Sequence, residues 1–202
     1  MRFTGRGVVM GASLGALVLV ASGCAGAQEE EPTPSFASST ADAEPSPELT
    51  EPPYETELNL TPDEKKAADE AYQVLVSFTA AYNTVATSGY ENQDVALRYA
   101  GGSFREAYED GFDEARSNGE TATGSVVHNY HLLSDLTLED DGGGEALFES
   151  CVDYSKFDLL DSEGESLKAD DLEPFIADYS LQRENNKWLI VQAEQSGYGC
   201  EK

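Results

Sequence analysis

The sequence has little positive charge: 12 Lys and Arg residues stand against 39 Asp and Glu residues, which gives a formal net charge of −27 at pH 7. Proteins that dock on nucleic acid or on anionic lipid through electrostatics need clusters of basic residues facing the phosphate groups. We therefore expect no nucleic-acid partner. An acidic excess of this size is typical of a protein that stays soluble outside the cell.

Long apolar runs are scarce as well, and the one near the N-terminus is too short to span a bilayer comfortably. Arg2 and Arg6 precede the apolar stretch 7–20, and small residues then lead into Cys24. This order resembles the signal and lipobox of bacterial lipoproteins, in which the cysteine is acylated and becomes the new N-terminus. We expect residues 1–23 to be a signal peptide. Cys24 would hold the protein on the extracytoplasmic face of the cell membrane, whereas the alternative is an ordinary cleaved signal with Cys24 incidental.

Residues 24–60 are predicted to form an acidic, disordered tether after the lipidated cysteine. The stretch 25–60 holds six of the eight prolines, nine acidic residues and no Lys or Arg. Such a composition cannot bury enough apolar surface to fold. Its removal is expected to leave thermal stability nearly unchanged. The remaining residues, 61–202, suit one domain with one core.

Cysteine is scarce, with three residues in the chain. With Cys24 assigned to lipid, Cys151 and Cys200 remain as an even pair in an oxidising compartment. We therefore predict a disulfide between them.

The first half of the domain has the sequence pattern of helices. Thr61 to Glu64 has the signature of a capping box with Pro62 at the first helical position, and apolar residues then recur on one face until Gly89. Two shorter helices are predicted over residues 92–99 and 103–118.

The second half alternates with a period of two, which is typical of strands. Strands are predicted over 124–138 and 146–157, followed by a hairpin over 174–195 with its turn at Asn185 and Asn186. Helices followed by an antiparallel meander predict an α+β domain in which N-terminal helices pack on one face of a curved sheet.

This order of elements, ending in the strand Asn186-Lys187-Trp188-Leu189-Ile190, resembles the cystatin-like cone of the nuclear-transport-factor-2 superfamily. The pattern GxV, CxDxS, DxxG, YxLxRxxxxW and a final Cys also looks like actinobacterial lipoproteins that carry such a domain. The resemblance covers about residues 61–200 and implies a cone-shaped domain. That superfamily includes isomerases, dehydratases and cyclases as well as non-catalytic binding modules.

The two histidines, His128 and His131, are the first candidates for chemistry. Residues three apart on a regular strand point to opposite faces, so we do not expect both to bind one metal ion unless the strand breaks between them. No metal site and no cofactor are predicted. His128 with Tyr130 on the same strand face could act as a general base if a carboxylate lay beside it, and a histidine with a structural role is the alternative.

Asp153 is the second candidate base. It shares a strand face with Cys151, away from the most apolar face, so a structural role as partner of a backbone amide is favoured over catalysis.

The sequence thus favours a lipid-anchored envelope protein whose domain binds a small ligand or an envelope protein without catalysis. The alternative is an isomerase-like or dehydratase-like enzyme with His128 or Asp153 as general base. A deep pocket lined by His128 would favour the enzyme, and an interior filled by Phe and Leu would exclude it. A protein-docking module would instead expose an apolar patch on the sheet or the helices.

Overall fold

The computed structural model describes residues 51–168 and 172–200, which belong to one structural unit. The predicted signal peptide, Cys24 and the tether up to residue 50 lie outside the described residues. No helix in the described ranges combines the length and apolar character needed to cross a bilayer. The elements, in chain order, are β1 (Tyr54–Thr56), α1 (Pro62–Thr87), α2 (Asp94–Leu97), α3 (Gly102–Asn118), β2 (Thr121–Gly124), β3 (Val127–Leu138), β4 (Gly144–Asp153), β5 (Phe157–Leu160), β6 (Phe175–Glu184) and β7 (Lys187–Tyr198).

Helix α1 begins with the predicted capping box. The Thr61 hydroxyl accepts a hydrogen bond from the Glu64 amide at 3.3 Å, and the Glu64 carboxylate accepts one from the Thr61 amide at 2.7 Å. These bonds satisfy two amides that a helix start otherwise leaves without partners. The apolar face of α1 is buried along its length, with Ala71 and Leu75 at zero exposure.

The main sheet has five strands in the order β1-β3-β4-β6-β7. Strand β1 is parallel to β3, and the other neighbouring pairs are antiparallel. Helices α1 and α3 pack against this sheet. The α+β class predicted from the sequence is confirmed, and the sheet is mixed because of β1.

The boundary predicted at Thr61 is wrong, since residues 51–60 belong to the folded part. Tyr54 pairs with His131 and Thr56 with Leu133 in the β1–β3 ladder. The Tyr54 ring contacts the rings of Tyr72 and Phe148 with centroids 5.3 and 5.8 Å away. The proline and acidic residues of this segment are typical of a disordered chain, but the segment contains a short strand that tertiary packing stabilises.

The second predicted strand, 146–157, is divided into β4 and β5, which belong to different sheets. Asp153 ends β4 by accepting a hydrogen bond from the Ser155 amide at 2.7 Å, and β5 then pairs with β2 in a separate two-stranded sheet. Gly124 permits this pairing, because its φ is +74° and an added Cβ would lie 1.7 Å from the Lys156 carbonyl oxygen.

The space between the helices and the main sheet is filled by large apolar side chains. Those with at most 5% exposure include Leu75, Phe78, Phe104, Leu133, Phe148, Leu181, Trp188 and Ile190. Large apolar side chains therefore occupy the interface between these two layers.

The last two strands form the predicted hairpin, with Asn185 and Asn186 in the turn at φ values of +50° and +61°. The predicted disulfide is also confirmed: Cys151 in β4 is bonded to Cys200 just beyond β7, with their Cα atoms 5.6 Å apart. This bond closes a loop spanning a separation of 49 residues.

We predict that Cys200→Ser lowers the free energy of unfolding by about 2–4 kcal/mol, because the open chain regains the entropy that the closed loop removes from the unfolded state. For a domain of this size the melting temperature should fall by about 5–15 °C in thermal denaturation. A reducing agent should lower the wild-type melting temperature to the same value and leave that of the variant unchanged. Equal melting temperatures for the oxidised wild type and the variant would contradict the prediction.

Candidate functional site

The two histidines lie on the same side of strand β3 because the strand carries one extra residue between them. His128 is opposite Val152 and His131 is opposite Ser150, so β3 advances by three residues while β4 advances by two. Such a bulge reverses the alternation of faces. Both histidines are buried, with exposures of 4% and 0%, and their ring centroids are 4.7 Å apart. The prediction that they face opposite ways is therefore wrong, since the strand is irregular at this point.

Glu51 joins the two histidines from the segment that was predicted to be tether. Its Oε2 accepts a hydrogen bond from the His128 amide at 3.0 Å. The same oxygen lies 3.3 Å from His128 Nδ1 and 3.6 Å from His131 Nε2. The Glu51 side chain is only 9% exposed. The carboxylate that the sequence required beside His128 thus comes from a residue 77 positions earlier in the chain.

The start of β3 is held in place by helix α1. The Asn83 side chain donates to the Val126 carbonyl at 2.9 Å and accepts from the Val126 amide at 2.9 Å. Val126 lies between β2 and β3, and these two bonds satisfy its backbone N–H and C=O groups. They also fix the position of His128, two residues further along the chain.

In each histidine, the ring nitrogen that is not next to Glu51 lies beside a hydroxyl group. Ser150 Oγ lies 2.8 Å from His131 Nδ1, and the Tyr179 hydroxyl lies 3.5 Å from His128 Nε2. The Tyr72 ring stands edge-on to His131 with centroids 5.3 Å apart, and its hydroxyl donates to the Pro52 carbonyl. Since Tyr72 contacts both the histidine and the segment around Glu51, it helps to hold that segment against the sheet.

Burial and charge set the protonation of this cluster. Burial alone raises the pKa of Glu51, but the contacts with His128 and His131 together outweigh it and lower that pKa to about 2. Burial lowers the pKa of His131, and Glu51 offsets this only in part. At neutral pH the cluster therefore holds an ionised carboxylate beside a neutral His131.

The cluster has the composition of a metal site. One oxygen of Glu51 and one nitrogen from each of His128 and His131 all lie within 4.8 Å of one another. These three donors could hold an ion.

The other two candidate catalytic residues lie apart from the cluster. The Tyr130 hydroxyl donates to Glu149 at 2.9 Å, and burial together with this carboxylate raises the pKa of Tyr130 to about 12. The hydrogen bond from the Ser155 amide lowers the pKa of Asp153, which also accepts from Asn129 at 3.4 Å. A lowered pKa makes a carboxylate a weaker base. The extra residue in β3 thus brings His131 together with His128 and separates Tyr130 from them.

A separate cavity of about 300 Å³ opens between α1, α3 and β5. Aromatic side chains dominate its lining, which includes Tyr82, Tyr90, Tyr108, Phe112, Leu159 and Glu120. Burial raises the pKa of Tyr90 to about 12 and raises those of Tyr82 and Tyr108 further, so all three phenols are neutral at physiological pH. Neither histidine lines this cavity or three further cavities on the described part of the chain.

Sequence reasoning found the two histidines but missed Glu51 and the aromatic cavity. No local pattern marks Glu51, because its partners are far away in the chain and its surroundings are rich in proline. The four-residue spacing of Tyr108 and Phe112 was visible, and it predicted a buried helix face without showing that a cavity opens beside it.

No protein-family model matches the sequence, and no curated protein is significantly similar to it. Among solved structures, the intermembrane-space region of the chloroplast protein ARC6 is 14% identical, with 68% of this chain and 99% of that chain covered and a TM-score of 0.45. A provisionally assigned aromatic ring hydroxylase from Novosphingobium aromaticivorans is 11% identical, with coverage of 68% and 95% and a TM-score of 0.39.

A periplasmic fragment of TraM is 16% identical, with 62% of this chain and 97% of that chain covered and a TM-score of 0.36. Similarities at this level carry no argument about activity or partners. The function must therefore be inferred from the residues of this chain.

Two deletions should separate the tether from the segment that carries Glu51. A chain without residues 25–60 should unfold at about 5–15 °C below a chain without residues 25–50, because it also loses β1, the packing of Tyr54 and the contacts of Glu51, together about 2–4 kcal/mol. Thermal denaturation followed by circular dichroism measures the difference. Equal melting temperatures would mean that residues 51–60 do not pack on the sheet in solution.

Proposed function

We propose that this protein is a lipid-anchored envelope protein whose α+β domain binds a small apolar ligand without catalysing a reaction. The observation that carries the proposal is the aromatic cavity between α1, α3 and β5, which offers apolar walls and neutral phenols. The resemblance to the nuclear-transport-factor-2 superfamily agrees with this proposal, because that superfamily includes non-catalytic binding modules.

The cavity has the chemistry of a small-ligand site. Its volume of about 300 Å³ is at the lower end of the range of about 300–1,000 Å³ that is typical of ligand pockets. The Tyr108 ring is held edge-on by Phe78 and tilted against Phe104, at centroid distances of 4.9 and 4.5 Å. Rigid aromatic walls lose little entropy when a flat apolar molecule binds, and the phenolic hydroxyls can orient a polar group on it.

The enzyme alternative finds less support. A general base must come within hydrogen-bond reach of a substrate. His128 is only 4% exposed, so a substrate has little access to its ring. Asp153 is a weak base and Tyr130 a very weak acid at neutral pH. The proposal therefore leaves all three residues outside any reaction.

A protein-docking role is the second possibility that the sequence left open, and it requires an apolar patch on the sheet or the helices. Four large apolar side chains are markedly exposed in the described ranges, and three of them lie in loops: Leu58, Leu167 and Leu172, with Tyr198 at the end of β7. Their placement does not follow a strand or helix face, so small-ligand binding is favoured.

The proposed location rests on the sequence before residue 51 and on the disulfide. Cys24 follows a signal-like segment, and a disulfide between Cys151 and Cys200 persists in oxidising compartments. Both features agree with a domain tethered outside the cell membrane.

The ligand proposal can be tested with N-phenylnaphthylamine, a neutral apolar fluorophore that acidic surface residues do not repel. Wild-type protein should bind it saturably, and Gly111→Leu should weaken binding by about tenfold or more, equivalent to about 1.4 kcal/mol. Gly111 lines the cavity, and a Cβ added there meets no atom within 4 Å, so the helix accepts a side chain at this position and a leucine would take up ligand space.

The matched control is Ser117→Leu, which places the same side chain at another exposed position of α3. This variant should bind the fluorophore as the wild type does. Replacing a helical glycine should also raise stability by about 0.5–1 kcal/mol, so weaker binding by Gly111→Leu would not reflect unfolding. Equal binding by the wild type and both variants would overturn the proposed pocket.

The anchor is tested by Cys24→Ala. The variant should move from the membrane fraction to the soluble fraction after cell lysis, because the acyl chains supply the membrane affinity. The wild-type protein should incorporate radiolabelled palmitate and the variant should not. Retention of the variant in membranes would remove the lipid anchor from the proposal.

A further inference from the structure

Three atoms that are common metal ligands converge beside strand β3. Glu51 Oε2 lies 3.3 Å from His128 Nδ1 and 3.6 Å from His131 Nε2, and one ligand atom from each of the three residues lies within 4.8 Å of the other two. Around a tetrahedral ion with bonds of about 2.0–2.2 Å, ligand atoms are about 3.3–3.6 Å apart. The two contacts made by the carboxylate, at 3.3 and 3.6 Å, already have this spacing.

The two nitrogens that face the carboxylate have no hydrogen-bond partner. His128 Nδ1 and His131 Nε2 are among five buried side-chain atoms in the described ranges that lack one. Their contacts with Glu51 are close but do not have hydrogen-bond geometry. Buried polar atoms without partners are rare because burial removes their bonds to water. That two of them face one carboxylate points to an ion that would bind all three.

The opposite nitrogen of each histidine is supported by a hydroxyl. Ser150 Oγ lies 2.8 Å from His131 Nδ1, and the Tyr179 hydroxyl lies 3.5 Å from His128 Nε2. A hydroxyl can accept a hydrogen bond from an imidazole N–H. Metal-binding histidines commonly donate their second N–H to an oxygen atom of a carboxylate, a carbonyl or water, which fixes the ring orientation, and a hydroxyl oxygen can take the same place.

The charge of the cluster also favours a cation. The Glu51 side chain is nine-tenths buried, and the side chains within 4 Å of its carboxylate that the described ranges supply as charge partners are the two imidazoles. A buried carboxylate is costly unless it is paired or coordinates a metal. A divalent cation would balance it and occupy both unpaired nitrogens at once.

We propose that Glu51, His128 and His131 bind one divalent transition-metal ion, with Zn²⁺ the best match. Two imidazoles and one carboxylate suit Zn²⁺ and its neighbours in the first transition row, whereas Mg²⁺ and Ca²⁺ prefer oxygen ligands throughout. Because both histidines are sealed from solvent, the ion has a structural role: it fastens the segment that precedes β1 onto β3. This inference does not depend on the aromatic cavity or on the lipid anchor.

The test uses the full-length chain, purified in detergent and stripped of metal with a chelator. Zn²⁺ is titrated in competition with a chromogenic chelator, which reports stoichiometry and affinity. Weak sites on the acidic surface do not contribute, because the chelator binds Zn²⁺ more tightly than they do. The wild-type protein should bind one equivalent, and Glu51→Gln should weaken that binding by about 100-fold, since even an outer-shell change typically costs 10–100-fold. Zn²⁺ at about 100 times its dissociation constant should raise the wild-type melting temperature by about 5–10 °C.

The matched control is Glu57→Gln, which removes the same charge from an exposed residue six positions further on. It should bind Zn²⁺ as tightly as the wild type and show the same thermal shift. His128→Gln should lose binding too, but a buried substitution can unfold the domain. Substitution of Co²⁺ therefore gives an independent measurement, because its visible absorption bands report nitrogen and oxygen ligands in a tetrahedral field.

Loss of one-equivalent binding and of the Co²⁺ spectrum in Glu51→Gln, with both retained in Glu57→Gln, supports the site. Equal affinity in the wild type and Glu51→Gln would overturn it. The site would also be overturned if the wild-type protein did not bind Zn²⁺ in competition with the chelator. Weak binding shared by the wild type and all variants would overturn it too, because such binding would come from surface carboxylates.

Discussion

The hydrogen bonding of strand β3 is the constraint on which the rest of the domain depends. On one side β3 pairs with β1 and on the other with β4, so it joins the N-terminal segment to the hairpins that follow. An extra residue between His128 and His131 interrupts its regular alternation. If β3 were regular, one histidine would leave the interior and Glu51 would have a single imidazole to contact. The irregularity of one strand thus decides which side chains form the buried polar cluster.

The domain contains one polar cluster that is largely shielded from solvent and one apolar cavity that is open to it. The cluster of Glu51, His128 and His131 is polar and largely buried, whereas the cavity beside Tyr108 is mainly apolar and open to solvent. Catalysis usually requires a polar group and an accessible space at the same place. Here the two candidate histidines are enclosed, and the aromatic cavity that we propose as the ligand site lies elsewhere in the domain. This separation is the physical reason for favouring binding over catalysis.

The parts of the fold that local signals specify could be predicted from the sequence. The capping box at Thr61, the turn at Asn185 and Asn186 and the pairing of Cys151 with Cys200 all follow from residues in characteristic patterns, and the structure has each of them. The α+β class followed from the change of hydrophobic period between the two halves of the domain.

The missed parts depend on contacts between distant residues. Strand β1 has three residues in a stretch rich in proline, and it is stabilised by pairing with β3 rather than by its own propensity. The bulge in β3 is set by register against β4, which no single strand reveals. Hence the histidines could be listed as candidates, while their convergence and their third partner could not be foreseen.

Both ends of the described chain are fastened at neighbouring points of the sheet. Glu51 accepts from the amide of His128, which is opposite Val152, and Cys200 is bonded to Cys151, the residue next to Val152. The described chain is therefore fastened at both ends, by a hydrogen bond to a carboxylate at one end and by a covalent bond at the other. An exopeptidase needs a free, extended end, and on this domain it would have to break a fastening before it could remove residues from either side.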